Sequence, residues 1–220
     1  VFFDIFDQQG ISYETKNKNL PVSLKGKLKP GVFSIRGDVS SQFISGLLLT
    51  LPLLPGDSVI NLTTPPESSG YIDMTIEMLE LFGIDIQYNR EESKIFVPGW
   101  QKYTPYNYHV EGDWSQAAFW LAAGALSGSV GTGGLNPDSI QGDKVIINLL
   151  KKMGVKVYWK DGFLVTEKST LAGIDADVSQ CPDLVPVLAV LCALAKGSSR
   201  ILNAERLRLK ECDRLNAVAV

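Results

Sequence analysis

The chain has 220 residues, of which 45% are hydrophobic and 20% are charged. This composition is typical of globular proteins and excludes a disordered or fibrous chain. With 21 Lys and Arg residues against 24 Asp and Glu residues, the net charge of −3 argues against a general nucleic-acid or membrane-surface binder. Any chemistry on anions must therefore be local.

The longest apolar run, residues 184–195, contains Pro186 and is too short for a bilayer, so it predicts a buried helix. The first residues lack the basic flank of a signal peptide. Three cysteines without C-x-x-C spacing support neither a disulfide framework nor a zinc site, and we expect a reducing cytoplasm. With His109 as the only histidine, we expect neither a His-based metal site nor a Ser-His-Asp triad. We also expect no cofactor.

The predicted elements repeat in one order along the chain. Residues 1–31 predict the end of a helix, a glycine turn at Gly10 and a hairpin. From Phe33, a strand leads to Gly-Asp-x-Ser, an apolar helix and a second strand, and the same order begins again at Tyr108. A third copy starts at Asp175. The equivalent aspartates are Asp38, Asp113 and Asp177.

The second half of each unit is a helix closed by Gly83 or Gly154, followed by two strands joined by a polar turn. Asp161-Gly162 is the clearest hairpin signal. The fold class is therefore α/β (α+β), built from repeated β-α-β-α-β-β units. Two units are complete and two are partial, which we interpret as a piece of a longer repeat protein. The linker-like residues 98–109 favour two lobes over a solenoid.

Two polar stretches precede predicted helices in the first half. Ser40, Ser41 and Gln42 offer two hydroxyls and an amide where one N-cap would suffice, so either capping or a phosphate or polyol site is expected. Ser68 and Tyr71 stand at the second such entrance, where a Pro-Pro turn with a capping serine is the simpler interpretation.

The second half contains carboxylates and cations near predicted corners. Asp183 precedes an apolar helix and is explained by N-capping, although it could also act as a general base. The alternation in residues 200–209 predicts a strand, which places Lys210 and Glu211 at a strand-to-helix corner and Arg214 one turn into the helix. Such cations bind phosphate and leave the Glu available for proton transfer.

These motifs occur in the order found in one enzyme family. The segments GDVSSQF, SSGYIDMT, YHVEGDWSQAAFWLAAGAL, IQGD, CPDLVPVLAVL and RLKECDRL resemble the 5-enolpyruvylshikimate-3-phosphate synthase (3-phosphoshikimate 1-carboxyvinyltransferase) family. The resemblance implies two lobes of the enolpyruvyl transferase fold. Residues 1–109 are then the later part of the first lobe and residues 110–220 the first half of the second, in a fragment lacking both termini.

The resemblance also implies the reaction: transfer of the enolpyruvyl group from phosphoenolpyruvate to the 5-hydroxyl of shikimate 3-phosphate, with release of phosphate. It implies a cytoplasmic enzyme that is monomeric at full length and binds neither nucleic acid nor membrane. The fragment itself is expected to be inactive. The alternatives are a UDP-N-acetylglucosamine enolpyruvyl transferase and a non-catalytic repeat fragment.

The resemblance assigns roles to nine residues. Asp183 takes the proton from the attacking hydroxyl and Glu211 protonates the enol carbon, the paired roles that addition followed by elimination requires. Asp183 and Lys210 also bind shikimate 3-phosphate, and Arg214 binds phosphoenolpyruvate. The shikimate 3-phosphate contacts on the first lobe are Ser40, Ser41, Gln42, Ser68 and Tyr71.

Overall fold

A computed structural model describes residues 1–17 and 19–219. The chain forms two compact units, residues 1–107 and 108–220, and each unit has its own hydrophobic core. Within the described part of the chain, every helix is too short or too polar to cross a membrane.

The described part of the first unit contains three α-helices and six strands. They are α1 (Phe2–Gln9), β1 (Ser12–Lys16), β2 (Asn19–Lys25), β3 (Val32–Ile35), α2 (Ser41–Thr50), β4 (Ser58–Leu62), α3 (Ser69–Leu81), β5 (Gln87–Asn89) and β6 (Lys94–Val97). β1 and β2 form an antiparallel hairpin. The other strands form a four-stranded sheet in the order β3-β4-β6-β5, in which β3 and β4 are parallel. This is the predicted β-α-β-α-β-β unit.

Alternating hydrophobicity accounts for the sheet. On β3, Phe33 and Ile35 are buried while Val32 and Ser34 face solvent, so one face of the strand packs on the helices. Gly83, with φ of 80°, ends the turn that follows α3 in the left-handed region that favours glycine, as the sequence predicts. Gly10 does the same after α1, with φ of 67°.

The second unit contains four helices and five strands in its described part. They are α4 (Trp114–Ser127), β7 (Ser129–Thr132), α5 (Ile146–Lys152), β8 (Lys156–Lys160), β9 (Phe163–Glu167), β10 (Asp175–Asp177), α6 (Val185–Leu194), β11 (Arg200–Leu202) and α7 (Arg214–Ala219). The antiparallel sheet has the order β7-β9-β8, and β10 pairs in parallel with β11. Asp161 and Gly162, both with positive φ, form the predicted hairpin turn.

Three predictions for the second unit are wrong in detail. Residues 108–111 are not a strand: Val110 is 78% exposed, and the backbone bond that follows, from the Gly112 N–H to the Gly134 carbonyl at 2.7 Å, lies beyond the end of β7. The predicted strand over residues 200–209 stops at Leu202, because Asn203 adopts a φ of 57° and turns the chain. A 3-10 helix, Glu205–Leu209, follows, and Arg214 begins α7 rather than lying one turn inside it.

The third error concerns Asp183. It lies inside a 3-10 helix, Pro182–Leu184, and the residue that precedes α6 is Leu184, so Asp183 is not the N-cap. Pro186 does fall in the first turn of α6, as expected, where a missing N–H costs nothing.

The ends of β3 and β4 are joined by one side chain, Thr64. Its hydroxyl donates to Asp38 Oδ1 (3.0 Å) and accepts from the N–H groups of Gly37 (3.0 Å) and Asp38 (3.2 Å). Arg36 forms a two-pronged ion pair with Asp38 at 2.7 and 2.9 Å. Hydrogen bonds from Arg36 and then Thr64 lower the pKa of Asp38 from 3.8 to about 2, against the opposing effect of desolvation.

The equivalent aspartates of the other copies, Asp177 and Asp113, make different hydrogen bonds from Asp38. Asp177 accepts from the Ser179 N–H (2.9 Å) and from Asn203 Nδ2 (2.7 Å), so it also joins the ends of two parallel strands. Asp113 caps α4 by accepting from the Ser115 N–H (2.8 Å). The repeated Asp-x-Ser segment lies at the start of a helix in the first two copies, and it lies at the end of a strand in the first and third.

Gly37→Ala is expected to destabilise the first unit. A Cβ at this position lies 2.7 Å from the Thr64 carbonyl oxygen and 2.9 Å from Pro66 Cα, both backbone atoms, so the two strand ends must separate. Overpacking of this kind costs about 1–3 kcal/mol. Amide hydrogen exchange in β4 measures the loss. The matched control is Gly46→Ala inside α2, where a Cβ meets only Phe2 at 3.5 Å and exchange should be equal or slower.

Asp38 is expected to titrate near pH 2 in the folded chain, measured by NMR of its side-chain carboxyl carbon. Because this pKa lies below the ordinary value of 3.8, ionised Asp38 stabilises the fold above about pH 4, and the contribution is lost as the pH falls toward 2. Arg36→Gln should raise the midpoint more than Thr64→Val, since the Arg36 hydrogen bond is the larger cause. The reverse order contradicts the assignment.

Candidate functional site

The start of α2 holds three of the predicted residues. Ser40 is the N-cap, and its hydroxyl accepts from the Gln42 N–H at 3.3 Å, so the capping hypothesis is confirmed for this residue. Ser41 is the first helical residue and is 7% exposed, whereas the Gln42 side chain faces solvent. The first turn of a helix carries N–H groups without intrahelical acceptors, which favours an anion at this point.

The start of α3 lies at the same edge of the sheet. β3 and β4 are parallel, each leads into the helix that follows it, and the Glu67 N–H donates to the Gly37 carbonyl at 3.2 Å. Ser68 precedes α3 with a φ of 53° and is buried, but its side chain does not cap the helix, so the predicted serine cap is wrong. Tyr71 is half-buried in the first turn.

Hydroxyl groups also link the two helices. Thr75 Oγ1 donates to the Tyr71 carbonyl at 2.7 Å, so the Ser45 hydroxyl, 2.7 Å from Thr75, is the donor in their contact. The chain therefore fixes the starts of α2 and α3 relative to each other at two points, this contact and the Thr64 contact with Asp38. The five predicted residues of the first unit share one edge.

A cluster of four charged residues forms in the second unit. Arg214 Nη1 lies 2.6 Å from Asp183 Oδ1, and Lys210 Nζ lies 3.7 Å from the same oxygen. Arg214 also binds Glu211 Oε2 through Nη2 at 2.6 Å and through Nε at 3.0 Å. The structure thus brings together all four residues that the sequence analysis selected in this half of the chain.

Three short elements position this charged cluster. Asp183 lies on the 3-10 helix before α6, Lys210 and Glu211 lie in the loop after the Glu205–Leu209 helix, and Arg214 begins α7. Asp213, which the sequence analysis missed, accepts from the Asn216 N–H at 3.0 Å at the start of α7 and pairs with Arg208 at 2.8 Å. An Asp directly before a helix is a capping signal that could have identified it.

The charged cluster is half-exposed and electrically balanced. The exposed fractions of the Lys210, Arg214 and Asp183 side chains are 22%, 25% and 31%, whereas Glu211 is 76% exposed. A backbone hydrogen bond and then the Arg214 guanidinium lower the pKa of Glu211. Although desolvation opposes it, pairing with Glu211 and Asp183 raises the pKa of Arg214. An anionic ligand must therefore compete with these carboxylates for the cations.

A second polar network starts α4. Glu111 Oε1 accepts from Ser139 Oγ (2.6 Å) and Gln141 Nε2 (2.7 Å), and Gln141 Oε1 accepts from the Trp114 N–H (2.9 Å). Desolvation raises the pKa of Glu111, but these hydrogen bonds outweigh it and lower the pKa overall. Gln141 belongs to the IQGD motif, whose role here is to tie a loop to the start of the helix. Sequence reasoning gave no sign of the Glu111 contact.

No metal centre is visible in the residues that the structure describes, since no group of three His, Cys, Asp or Glu side chains could hold an ion. Two thiols differ sharply in environment: Cys212 is exposed within the charged loop, whereas Cys181 is buried. Burial, followed by the nearby carboxylates of Asp143 and Asp177, raises the pKa of Cys181 to about 12.

Comparison with known proteins gives a consistent result. The family model of EPSP synthase (3-phosphoshikimate 1-carboxyvinyltransferase) matches residues 3–220. Two curated proteins named 3-phosphoshikimate 1-carboxyvinyltransferase are similar over 219 residues: that of Clostridium novyi (strain NT) is 51% identical and that of Clostridium acetobutylicum 52% identical. The alignments cover 100% and 99% of this chain and 50% of each relative.

Comparison with solved structures gives the same result as comparison with sequences. The EPSP synthase of Acinetobacter baumannii superposes with a TM-score of 0.72 and 26% identity, over 99% of this chain and 51% of that one. The enolpyruvyl transferase NikO of Streptomyces tendae superposes with a TM-score of 0.67 over 91% of this chain and 51% of that one; at 17% identity it supports the fold alone. The chain spans about half the length of these relatives. The chain belongs to the EPSP synthase family.

Proposed function

We propose that this chain supplies binding and proton-transfer residues for the transfer of the enolpyruvyl group from phosphoenolpyruvate to the 5-hydroxyl of shikimate 3-phosphate. The observation that carries the proposal is the charged cluster, in which Asp183 meets Lys210 and Arg214 across roughly thirty residues of sequence. Family membership supplies the reaction, and the cluster supplies groups suited to it.

The first unit offers an uncharged anion site. Ser40, Ser41 and Gln42 present hydroxyl, amide and backbone N–H donors at the start of α2, and Ser68 and Tyr71 stand at the neighbouring helix start. Helix N-termini bind phosphate through free N–H groups and the helix dipole. We assign these five residues to shikimate 3-phosphate.

The second unit offers the charged groups that addition and elimination need. Asp183, in contact with Arg214, accepts the proton of the 5-hydroxyl as the hydroxyl oxygen bonds to C2 of phosphoenolpyruvate, and Glu211 donates a proton to C3. Phosphate then leaves as the C3 proton is removed and the double bond re-forms. A positioned acid or base contributes about 10²–10⁴ in rate.

A backbone hydrogen bond and then the Arg214 contact lower the pKa of Glu211, so Glu211 holds a proton more readily once Arg214 is drawn away. The carboxylate or phosphate of phosphoenolpyruvate competes for that guanidinium in a two-pronged geometry. Substrate binding thereby raises the pKa of the acid that the next step uses. Lys210 adds a second cation, 3.7 Å from the same Asp183 oxygen that Arg214 contacts.

The same proposal places the chain within a whole enzyme. We assign residues 1–109 to the later part of a first lobe and residues 110–220 to the first half of a second lobe, in a monomeric cytoplasmic protein. The family membership and the two compact units support this assignment.

The 220-residue chain is expected to bind shikimate 3-phosphate in preference to UDP-N-acetylglucosamine, followed by NMR titration of backbone amides. Shifts should concentrate at the starts of α2 and α3, because these carry the proposed phosphate donors. Equal responses to both ligands, or shifts that avoid residues 40–42 and 68–71, contradict the assignment.

Lys210→Met is expected to weaken shikimate 3-phosphate binding by about ten- to a hundredfold in isothermal titration, since a hydrogen bond to a charged group is worth about 1.5–3 kcal/mol. The matched control is Lys151→Met, which removes an exposed lysine from α5 and should leave the affinity unchanged. Equal loss in both variants indicates a general effect of charge and contradicts a role for Lys210.

A further inference from the structure

The two helix starts that carry the proposed shikimate 3-phosphate donors must keep a fixed relative position. Ser40, Ser41 and Gln42 lie at the start of α2, and Ser68 and Tyr71 lie at the start of α3. Hydrogen bonds to a phosphate are directional, and a binding site works only when its groups are held to within about 0.5 Å. Contacts between α2 and α3 therefore bear directly on the proposed site.

Ser45 and Thr75 form such a contact, one turn into each helix. Their hydroxyl oxygens lie 2.7 Å apart. Ser45 is four residues after Ser41, and Thr75 is four residues after Tyr71, so each hydroxyl shares a helix face with a residue of the proposed site. The contact thus joins the face that carries Ser41 to the face that carries Tyr71.

The hydrogen bonds of this pair run in one direction. Thr75 Oγ1 donates to the Tyr71 carbonyl oxygen at 2.7 Å, and a hydroxyl has one hydrogen to give. Ser45 is therefore the donor to Thr75. Since a bond from a Thr side chain to the carbonyl of the preceding turn often bends a helix, the pair acts on the backbone of Tyr71 itself.

Packing of the two helices does not by itself require hydroxyls here. Ile44 on α2 and Ile72 on α3, each next to one turn of this contact, are completely buried in the same apolar core. Replacing both partners of a hydrogen bond by apolar groups of the same shape is nearly neutral for stability. The hydroxyl pair adds direction instead, because a hydrogen bond restricts distance and angle whereas apolar contact does not.

An ion pair near Tyr71 has less influence on this arrangement. Asp73 on α3 pairs with Arg90 of the β5–β6 turn at 2.6 Å, but the Arg90 side chain is 60% exposed. Exposed ion pairs contribute little because solvent and salt screen them. This pair also joins α3 to the hairpin, so it leaves the position of α3 relative to α2 to other contacts.

We propose that Ser45 and Thr75 are positioning residues for shikimate 3-phosphate. Their hydroxyl pair holds the Tyr71 turn of α3 against the Ser41 turn of α2, so that donors from both helix starts reach one ligand. Neither residue binds the ligand, and each acts through the helix that carries the donors. This inference rests on the proposed function, because it assigns the pair to the same site.

Thr75→Val is expected to weaken shikimate 3-phosphate binding by about three- to tenfold in isothermal titration, because valine keeps the shape of threonine and lacks its hydroxyl. Thr75→Ser keeps the hydroxyl and should bind like the unmodified chain. The matched control is Thr50→Val: Thr50 is exposed on α2 and donates to the Gly46 carbonyl of its own helix at 3.0 Å, so its loss leaves the contact with α3 intact. Equal affinities of the two valine variants overturn the proposal.

A double-mutant cycle shows whether the two hydroxyls act as one unit. Ser45→Ala should weaken binding about as much as Thr75→Val, and the double variant should lose no more than either, because each change breaks the same contact. Losses that add overturn the pairing. Urea unfolding gives the folded fraction of each variant, and an affinity loss that this fraction explains alone also overturns the proposal.

Residual dipolar couplings of the ligand-free chain measure the angle between α2 and α3 without any substrate. The angle should change in Thr75→Val and stay the same in Thr50→Val, and an unchanged angle overturns the positioning role. Shikimate 3-phosphate binding that Thr75→Val leaves intact overturns that role while the proposed function stands. Absence of binding in the unmodified chain contradicts the proposed function, and the ligand assigned to the pair with it.

Discussion

The fold and the candidate site both depend on how two parallel strands end. In the first unit, the hydroxyl of Thr64 holds Asp38 and the Gly37 N–H together, and this contact fixes where the two following helices begin. Asp177 and Asn203 perform the same task in the third copy with an amide in place of a hydroxyl. A strand that runs directly into a helix leaves N–H groups free, and the paired strand ends gather two such groups of donors at one edge.

In the proposed function, the two units recognise anions in different ways. The first unit offers neutral hydroxyls at helix starts, which introduce no charge of their own. The second unit uses cations that carboxylates already hold, so a ligand there exchanges partners instead of filling a free site. In the proposed function, the first unit holds a substrate and the second unit transfers its protons.

The sequence was most informative where a local signal determines the structure. Gly83, Gly154 and the Asp161-Gly162 pair marked helix ends and a hairpin correctly, because only a few residue types adopt positive φ. The strand predicted at residues 108–111 failed, since alternation alone cannot show whether a partner strand is present. Asp183 was placed on the wrong element but in the right cluster, because its contact with Arg214 depends on tertiary packing that no spacing rule describes.

Cys181 is buried and Cys212 is exposed, so a thiol reagent can label Cys212 while Cys181 stays protected. At neutral pH the buried Cys181 thiol stays protonated and inaccessible, whereas Cys212 is open to solvent two residues before Arg214. In the proposed function, Arg214 binds the phosphate or carboxylate of a substrate, so a maleimide dye on Cys212, two residues away, would report occupancy of the charged loop. No new cysteine has to be engineered.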